Sequence, residues 1–217
     1  MANAVYFKGE WAEEFPAYAT KSHPFHISET STKNVDMMSR RAKYNWGPIN
    51  QFNAKYIELP YKGENASMFI ILPNEINGLA NIEENYHQIN FDEYSNGQKS
   101  EVELVMPKFS FQTELDLKST LQKMNIKNMF ETTANFHGIS DNAEGLYVND
   151  VIQKTVIAVD EQGTEAAAVT RSSLVGSSHY STEVPKLNVD RPFIAVIAAK
   201  FGKSIPLFHA RIVDPKA

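Results

Sequence analysis

Residues 161–170 read EQGTEAAAVT, and they carry the strongest fold signal in this chain. Small residues recur at every second position of the stretch, at Thr164, Ala166, Ala168 and Thr170. A period of two is the period of a β-strand with one buried and one exposed face. Glycine and small side chains nevertheless have low strand propensity. The stretch is therefore predicted to be able to form a strand without being compelled to do so.

The composition limits the classes of protein that this chain can belong to. It has 21 Lys and Arg against 26 Asp and Glu, a net charge of −5, and no basic stripe, so we expect no nucleic-acid partner. It has no cysteine, which excludes disulfides and thiolate chemistry. The longest apolar runs, at 68–72 and 193–199, are too short to span a bilayer, so no membrane partner is expected.

Strand patterns dominate the 217 residues. Runs rich in Val, Ile, Phe and Tyr predict strands at residues 5–7, 55–59, 67–72, 101–106, 147–159, 193–199 and 207–213. Residues 60–65 predict a hairpin turn, and apolar spacing predicts helices within 79–89 and 115–124. The chain is predicted to form one β-rich α+β unit. Its opening strand has no preceding strand to pair with, so we expect it to be part of a domain.

No motif in the sequence indicates catalysis, and we expect the protein not to be an enzyme. It has no GxSxG, Walker or HExxH pattern. His23 and His26 are the one close histidine pair, and Pro24 opposes the helix that would align them on a metal. We therefore expect no metal and no cofactor.

Several segments, taken in order, resemble the serpin family. They are 3–11 (NAVYFKGEW), 35–38 (VDMM), 58–61 (ELPY), 68–73 (MFIILP), 106–109 (MPKF), 161–168 (EQGTEAAA), 190–193 (DRPF) and 208–215 (FHARIVDP). Each is weak by itself, but all of them in order are a strong indication. The resemblance implies that residues 1–217 are the β-rich carboxyl-terminal part of an α+β serpin fold. The helical amino-terminal part of that domain, with two strands of its central sheet, is expected to be missing.

The resemblance implies an inhibitor of serine proteases that is consumed in the reaction. A protease cleaves an exposed reactive-centre loop, here about 161–182, and the arm of the loop inserts into the central sheet as a new strand. The hinge residues implied are Gly163, Thr164, Glu165, Ala166, Ala167 and Ala168. Gly163 would supply backbone freedom at the pivot, and the small inward side chains would avoid overpacking the sheet. The alternatives are a non-inhibitory serpin that binds or carries a ligand, and an inactive fragment.

Two further groups of residues match functional positions of the family. Lys108 and Glu161 match an ion pair at the point of loop entry, the breach, with Trp11 close by. The alternative interpretation is an ordinary surface pair of small energetic value. Asn3 matches a polar position beneath the opening strands, the shutter, where Gln153 replaces the usual histidine partner.

The scissile bond is implied by the usual spacing of the family. Counting 16 residues beyond Glu161 places it between Ser177 and Ser178, which suits an elastase-like protease. The alternative bond, between Tyr180 and Ser181, suits a chymotrypsin-like protease. The resemblance also implies a secreted, extracellular protein that is monomeric when complete.

Overall fold

The computed structural model of the protein describes residues 1–139, 145–164 and 184–215. The strands of these residues are β1 (Ala2–Tyr6), β2 (Gly9–Glu10), β3 (Lys21–Ser28), β4 (Ser31–Ile49), β5 (Ala54–Pro60), β6 (Ala66–Pro73), β7 (Ser100–Pro107), β8 (Phe109–Asp116), β9 (Ile152–Val159), β10 (Gly163–Thr164), β11 (Lys186–Asn188), β12 (Phe193–Lys200) and β13 (Ser204–Ile212). The α-helices are α1 (Leu79–Glu84), α2 (Phe91–Ser95) and α3 (Lys118–Lys123). The chain divides into two compact units, of which unit 1 comprises Met1–Phe7 and Phe111–Ile157 and unit 2 comprises Lys8–Ser110 and Ala158–Ala217.

In unit 1, β1 runs parallel to β9, with Ala2 opposite Ile152 and Tyr6 opposite Val156. β8 pairs with β9 on its other side. The strand expected over 147–159 begins only at Ile152. The preceding backbone bonds to loops instead of a strand, since the Val148 N–H donates to the carbonyl of Met129 and the Val151 carbonyl accepts from Leu117.

In unit 2, the strands follow the order β11-β7-β4-β5-β6-β12-β13, and β3 also pairs with β4. β4 is 19 residues long and pairs in turn with β3, β7 and β5. The sequence did not predict β3 or β4, because both are rich in polar and charged residues with low strand propensity. Pairing with neighbouring strands overrides that propensity. His23 and His26 lie on β3, where residues three apart point to opposite faces of the strand.

The core of unit 2 lies between α1, α2 and the strands β5, β6 and β12. Its buried residues include Phe69, Ile71, Ile82, Phe91 and Val196. The helix expected within 79–89 ends at Glu84 and is followed by a 3-10 turn, Tyr86–Gln88. Across the described residues no helix has both the length and the apolar character needed to cross a membrane.

Among the described residues of this unit, one charged side chain is buried. The side chain of Glu58, on β5, is only 3% exposed and forms an ion pair with Lys200 at the end of β12. The Asn45 amide donates to its carboxylate at 2.7 Å, and the Ser95 hydroxyl donates at 3.4 Å. Buried carboxylates require such partners because desolvation strongly disfavours an isolated charge.

Candidate functional site

The candidate site, here called the hinge cluster, lies in unit 2 where β9 ends and the chain turns back into β10. It consists of Trp11, Thr20, Tyr61, Lys108, Asp160, Glu161, Gly163 and Thr164. The turn itself is closed by a hydrogen bond from the Asp160 N–H to the Gly163 carbonyl at 2.9 Å. The Asp160 side chain also accepts from the N–H groups of Gln162 at 2.9 Å and Gly163 at 3.1 Å. A carboxylate that bonds backbone two residues ahead is a common stabiliser of tight turns.

After the turn, β10 lies between the end of β9 and β2. Thr164 pairs with Val159 on one side and with Gly9 on the other, both antiparallel. The first two hinge residues therefore already form a short strand with a neighbour on each edge.

Gly163 is required here by close packing. A Cβ atom at this position would lie 2.0 Å from the Gly9 carbonyl oxygen and 2.7 Å from the Glu10 Cα. Both are backbone atoms of β2, which cannot move aside as a flexible side chain can. The close approach of the β2 backbone is therefore a second reason for glycine at position 163. The first is the backbone freedom expected at the pivot of the hinge.

Thr164 is fully buried, with 0% of its surface exposed. Its hydroxyl lies 2.7 Å from the hydroxyl of Tyr61, and either group can donate. Burial raises the pKa of Tyr61 well above its ordinary value, so the phenol keeps its proton at physiological pH. The Tyr61 ring stacks on the indole of Trp11 with centroids 4.7 Å apart and an interplanar angle of 11°.

Trp11 holds the turn from the β2 side. Its indole Nε1–H donates to the Asp160 carbonyl at 2.9 Å, and its backbone N–H donates to the Gln162 carbonyl at 2.8 Å. The side chain is 1% exposed, so these bonds are shielded from competition with water. Trp11 therefore ties the turn after β9 to the core of unit 2.

The structure brings Lys108 and Glu161 together beside the turn. Lys108 Nζ lies 3.0 Å from Glu161 Oε2, and the Thr20 hydroxyl donates to Glu161 Oε1 at 2.7 Å. Partial burial by itself raises the pKa of Glu161, but the hydrogen bonds from Thr20 and Lys108, with the Lys108 charge, outweigh it and hold the pKa below its ordinary 4.5. The side chains are 29% and 16% exposed, so the pair is better shielded than a surface pair.

Glu161→Gln is expected to destabilise unit 2 by about 1–2 kcal/mol near neutral pH, because it removes charge from a carboxylate with two hydrogen-bond donors. The lowered pKa means that this stabilisation is present above the ordinary value of 4.5 and is lost as the pH falls through the lower folded value. Urea unfolding from pH 7 down to about pH 3 should therefore show the wild type and the variant converging in acid.

Asp214→Asn serves as the control for that experiment, because the Lys33–Asp214 pair is 44% and 37% exposed. Its cost should stay below about 1 kcal/mol. A cost for Glu161→Gln no larger than for Asp214→Asn would identify the Lys108–Glu161 pair as an ordinary surface pair.

Comparisons with known proteins show which family this chain belongs to. The family profile described as Serpin (serine protease inhibitor) matches residues 1–215. The chain belongs to the serpin family.

Individual serpins match along almost the whole chain. It is 34% identical to alaserpin of Manduca sexta over 218 residues, covering 99% of this chain and 54% of alaserpin. It is 34% identical to leukocyte elastase inhibitor of Bos taurus over 224 residues, covering 99% and 58% of the two chains. The structure of human thyroxine-binding globulin complexed with thyroxine matches with a TM-score of 0.83 and 28% identity, covering 99% of this chain and 56% of that one. The chain thus spans about half the length of the curated serpins it matches.

The structure describes some of the other residues that match serpin functional positions and not others. Asn3 and Gln153 lie opposite each other in the pairing of β1 with β9 in unit 1, but within the described ranges neither side chain makes a hydrogen bond. The hinge residues Glu165, Ala166, Ala167 and Ala168 lie outside the described residues. So do both candidate scissile bonds, Ser177–Ser178 and Tyr180–Ser181.

Three members of the hinge cluster were not predicted as site residues. Tyr61 belongs to the segment ELPY that carried part of the resemblance, so its position in the sequence was noted but its role was not. Asp160 ends a strand just before a glycine-containing turn, a place where Asp often bonds the backbone. Thr20 has no distinguishing pattern, because its partner Glu161 is 141 residues away in the chain.

Proposed function

We propose that the protein inhibits serine proteases by the loop-insertion reaction and is consumed in doing so. The observation that carries the proposal is that the hinge already begins as a strand: Thr164 is buried between β9 and β2. An arm that starts inside a sheet has its register set before cleavage. The small residues that follow in the sequence, Ala166 and Ala168, suit burial at later positions of the same face.

In the proposed reaction, the protease serine attacks the carbonyl carbon of the scissile bond. An ester forms between the protease and that residue, and the nitrogen of the next residue leaves as a free amine. The arm is then free at one end and can continue as a strand. About 15 inserted residues at roughly 3.3 Å each would carry the protease on the order of 50 Å.

Insertion of the arm breaks some backbone hydrogen bonds and forms a larger number of new ones. β1 and β9 pair directly over five residues in unit 1, and a strand that enters between them breaks those bonds. The inserted strand would form a dozen or more new backbone hydrogen bonds, each worth roughly 0.5–1.5 kcal/mol. The balance favours insertion strongly enough to trap the ester.

We further propose an elastase-like or chymotrypsin-like target, with cleavage at Ser177–Ser178 or, as the alternative, Tyr180–Ser181. The similarity to leukocyte elastase inhibitor supports the first. Amino-terminal sequencing of the fragment released by the target would distinguish a chain that begins at Ser178 from one that begins at Ser181. Secretion and a monomeric state belong to the same proposal and follow from the resemblance. The measurements that check them are recovery of the protein from the culture medium of its source cells and light scattering.

The test of the main proposal is formation of a covalent complex. The protein, purified with its natural termini, is mixed with elastase-, chymotrypsin- and trypsin-like proteases, and an SDS-resistant complex is expected with at least one. Thr164→Arg is the matched control, because a buried charge without a partner opposes insertion; this variant should be cleaved without forming a complex. Loop cleavage of the wild-type protein by every protease, with no complex, would contradict the proposal.

The second candidate function is ligand carriage, which the similarity to thyroxine-binding globulin favours. The two functions differ in what cleavage does to stability. An inserting loop adds a strand and raises the melting temperature, whereas a carrier whose loop stays outside the sheet shows no rise. Thermal denaturation before and after cleavage by a nonspecific protease therefore separates them.

A further inference from the structure

Tyr61 is held rigidly on the side of unit 2 that receives the hinge. Its ring is stacked on Trp11 and is 3% exposed. Its backbone N–H donates to the Ala66 carbonyl at 3.0 Å, and its carbonyl accepts from the Glu64 N–H at 3.0 Å, within the turn between β5 and β6. The phenol hydroxyl of Tyr61 is therefore held in one fixed position, where it forms a hydrogen bond with the hydroxyl of Thr164.

The strand that Thr164 belongs to is short. β10 has two residues, so its backbone can form few ladder hydrogen bonds. The bond between the Tyr61 and Thr164 hydroxyls is buried, and a buried polar group left without a partner is costly. This side-chain pair therefore adds to the backbone pairing of Thr164 with Val159 and Gly9 in holding β10 between β9 and β2.

We propose that Tyr61 is a positioning residue whose hydroxyl latches the hinge in a partly inserted state before any protease arrives. This inference rests on the proposed inhibitory function and assigns Tyr61 a role in it. After cleavage, insertion continues from a strand whose register is already set. Without the latch, β10 must first form again while water hydrolyses the ester to the protease. The latch therefore decides how much of the protein ends as trapped complex and how much as cleaved, released chain.

Tyr61→Phe tests the latch with the ring stacking preserved. Hydrogen exchange of the backbone amides in residues 160–164 is expected to become about five- to tenfold faster, the effect of losing one buried hydrogen bond. The number of inhibitor molecules consumed per trapped protease should rise several-fold, while the rate of loop cleavage stays within about twofold, because Tyr61 does not take part in the chemistry of the ester.

Tyr44→Phe is the matched control. Tyr44 is also buried, at 5% exposure, but its hydroxyl has no hydrogen-bond partner among the described residues. Removing that hydroxyl should leave both exchange at 160–164 and the consumption ratio unchanged. Thr164→Val should reproduce the effect of Tyr61→Phe, Thr164→Ser should restore wild-type behaviour, and the double variant Tyr61→Phe/Thr164→Val should be no worse than either single variant.

The exchange measurement needs no protease, so failure of the latch and failure of the inhibitory proposal are distinguishable. Faster exchange in Tyr61→Phe and Thr164→Val, together with higher consumption, supports the latch. Exchange at 160–164 that is the same in Tyr61→Phe and in the wild type overturns it, whatever the protease assays show. Faster exchange with an unchanged consumption ratio in an active inhibitor also overturns it, since the bond then has only a structural role.

Discussion

In the proposed inhibitory reaction, Gly163→Val is expected to convert the protein from an inhibitor into a substrate of its target protease. The new side chain would begin 2.0 Å from the Gly9 carbonyl oxygen, so β10 could not remain between β9 and β2. Overpacking of this kind costs about 1–3 kcal/mol when the surroundings can shift, and about 1.4 kcal/mol changes an equilibrium tenfold. We therefore expect the number of inhibitor molecules consumed per trapped protease to rise by about fivefold to a hundredfold, measured by titration and by the yield of SDS-resistant complex.

Gly138→Val is the control for this substitution. A Cβ atom at Gly138 would meet no atom of the described residues within 4 Å, so no packing consequence is expected there for the same chemical change. The control should inhibit as the wild type does. Equal consumption ratios for Gly163→Val and Gly138→Val would show that the close approach at Gly163 has no part in the reaction.

Lys200→Met is expected to destabilise unit 2 by about 2–3 kcal/mol, less than the roughly 3–5 kcal/mol lost when a fully buried ion pair is broken, because the Lys200 side chain is 30% exposed. The Glu58 side chain is 3% exposed and, among the described residues, would keep its bonds from Asn45 and Ser95. Urea unfolding followed by tryptophan fluorescence reports on this unit, since both tryptophans, Trp11 and Trp46, lie in it.

Two control variants distinguish the effect of leaving a buried charge unpaired from the effect of breaking any ion pair. The double variant Glu58→Gln/Lys200→Met removes both charges and should recover most of the lost stability. Lys186→Met breaks the Lys186–Glu103 pair of the same unit, whose side chains are 51% and 40% exposed, and should cost less than about 1 kcal/mol. A loss below about 1 kcal/mol for Lys200→Met would show that the Glu58 carboxylate is stabilised by its other partners.

Local pattern was sufficient for much of the fold and for part of the hinge. Runs rich in Val, Ile, Phe and Tyr at 55–59, 67–72, 101–106 and 193–199 predicted strands that the structure contains. Alternation in EQGTEAAAVT predicted that Thr164 would face inward after insertion of the loop, and in the structure Thr164 is already buried. Periodicity is a local property, and it determines which face of a strand avoids water. Where the strand was polar, as in β4, the same criterion failed because long-range pairing, not local preference, formed the element.

The sequence by itself determined the family, the small-residue hinge and the expected closeness of Lys108, Glu161 and Trp11, because these depend on residue types in a recognisable order. The tertiary structure alone decided that Thr164 is already a strand residue, that Tyr61 is its partner and that Gly163 has no room for a Cβ atom. Tyr61 and Thr164 are 103 residues apart in the chain, and no local pattern encodes such a pair. Their contact depends on how β2, β9 and the turn after β5 are brought together, which is a property of packing.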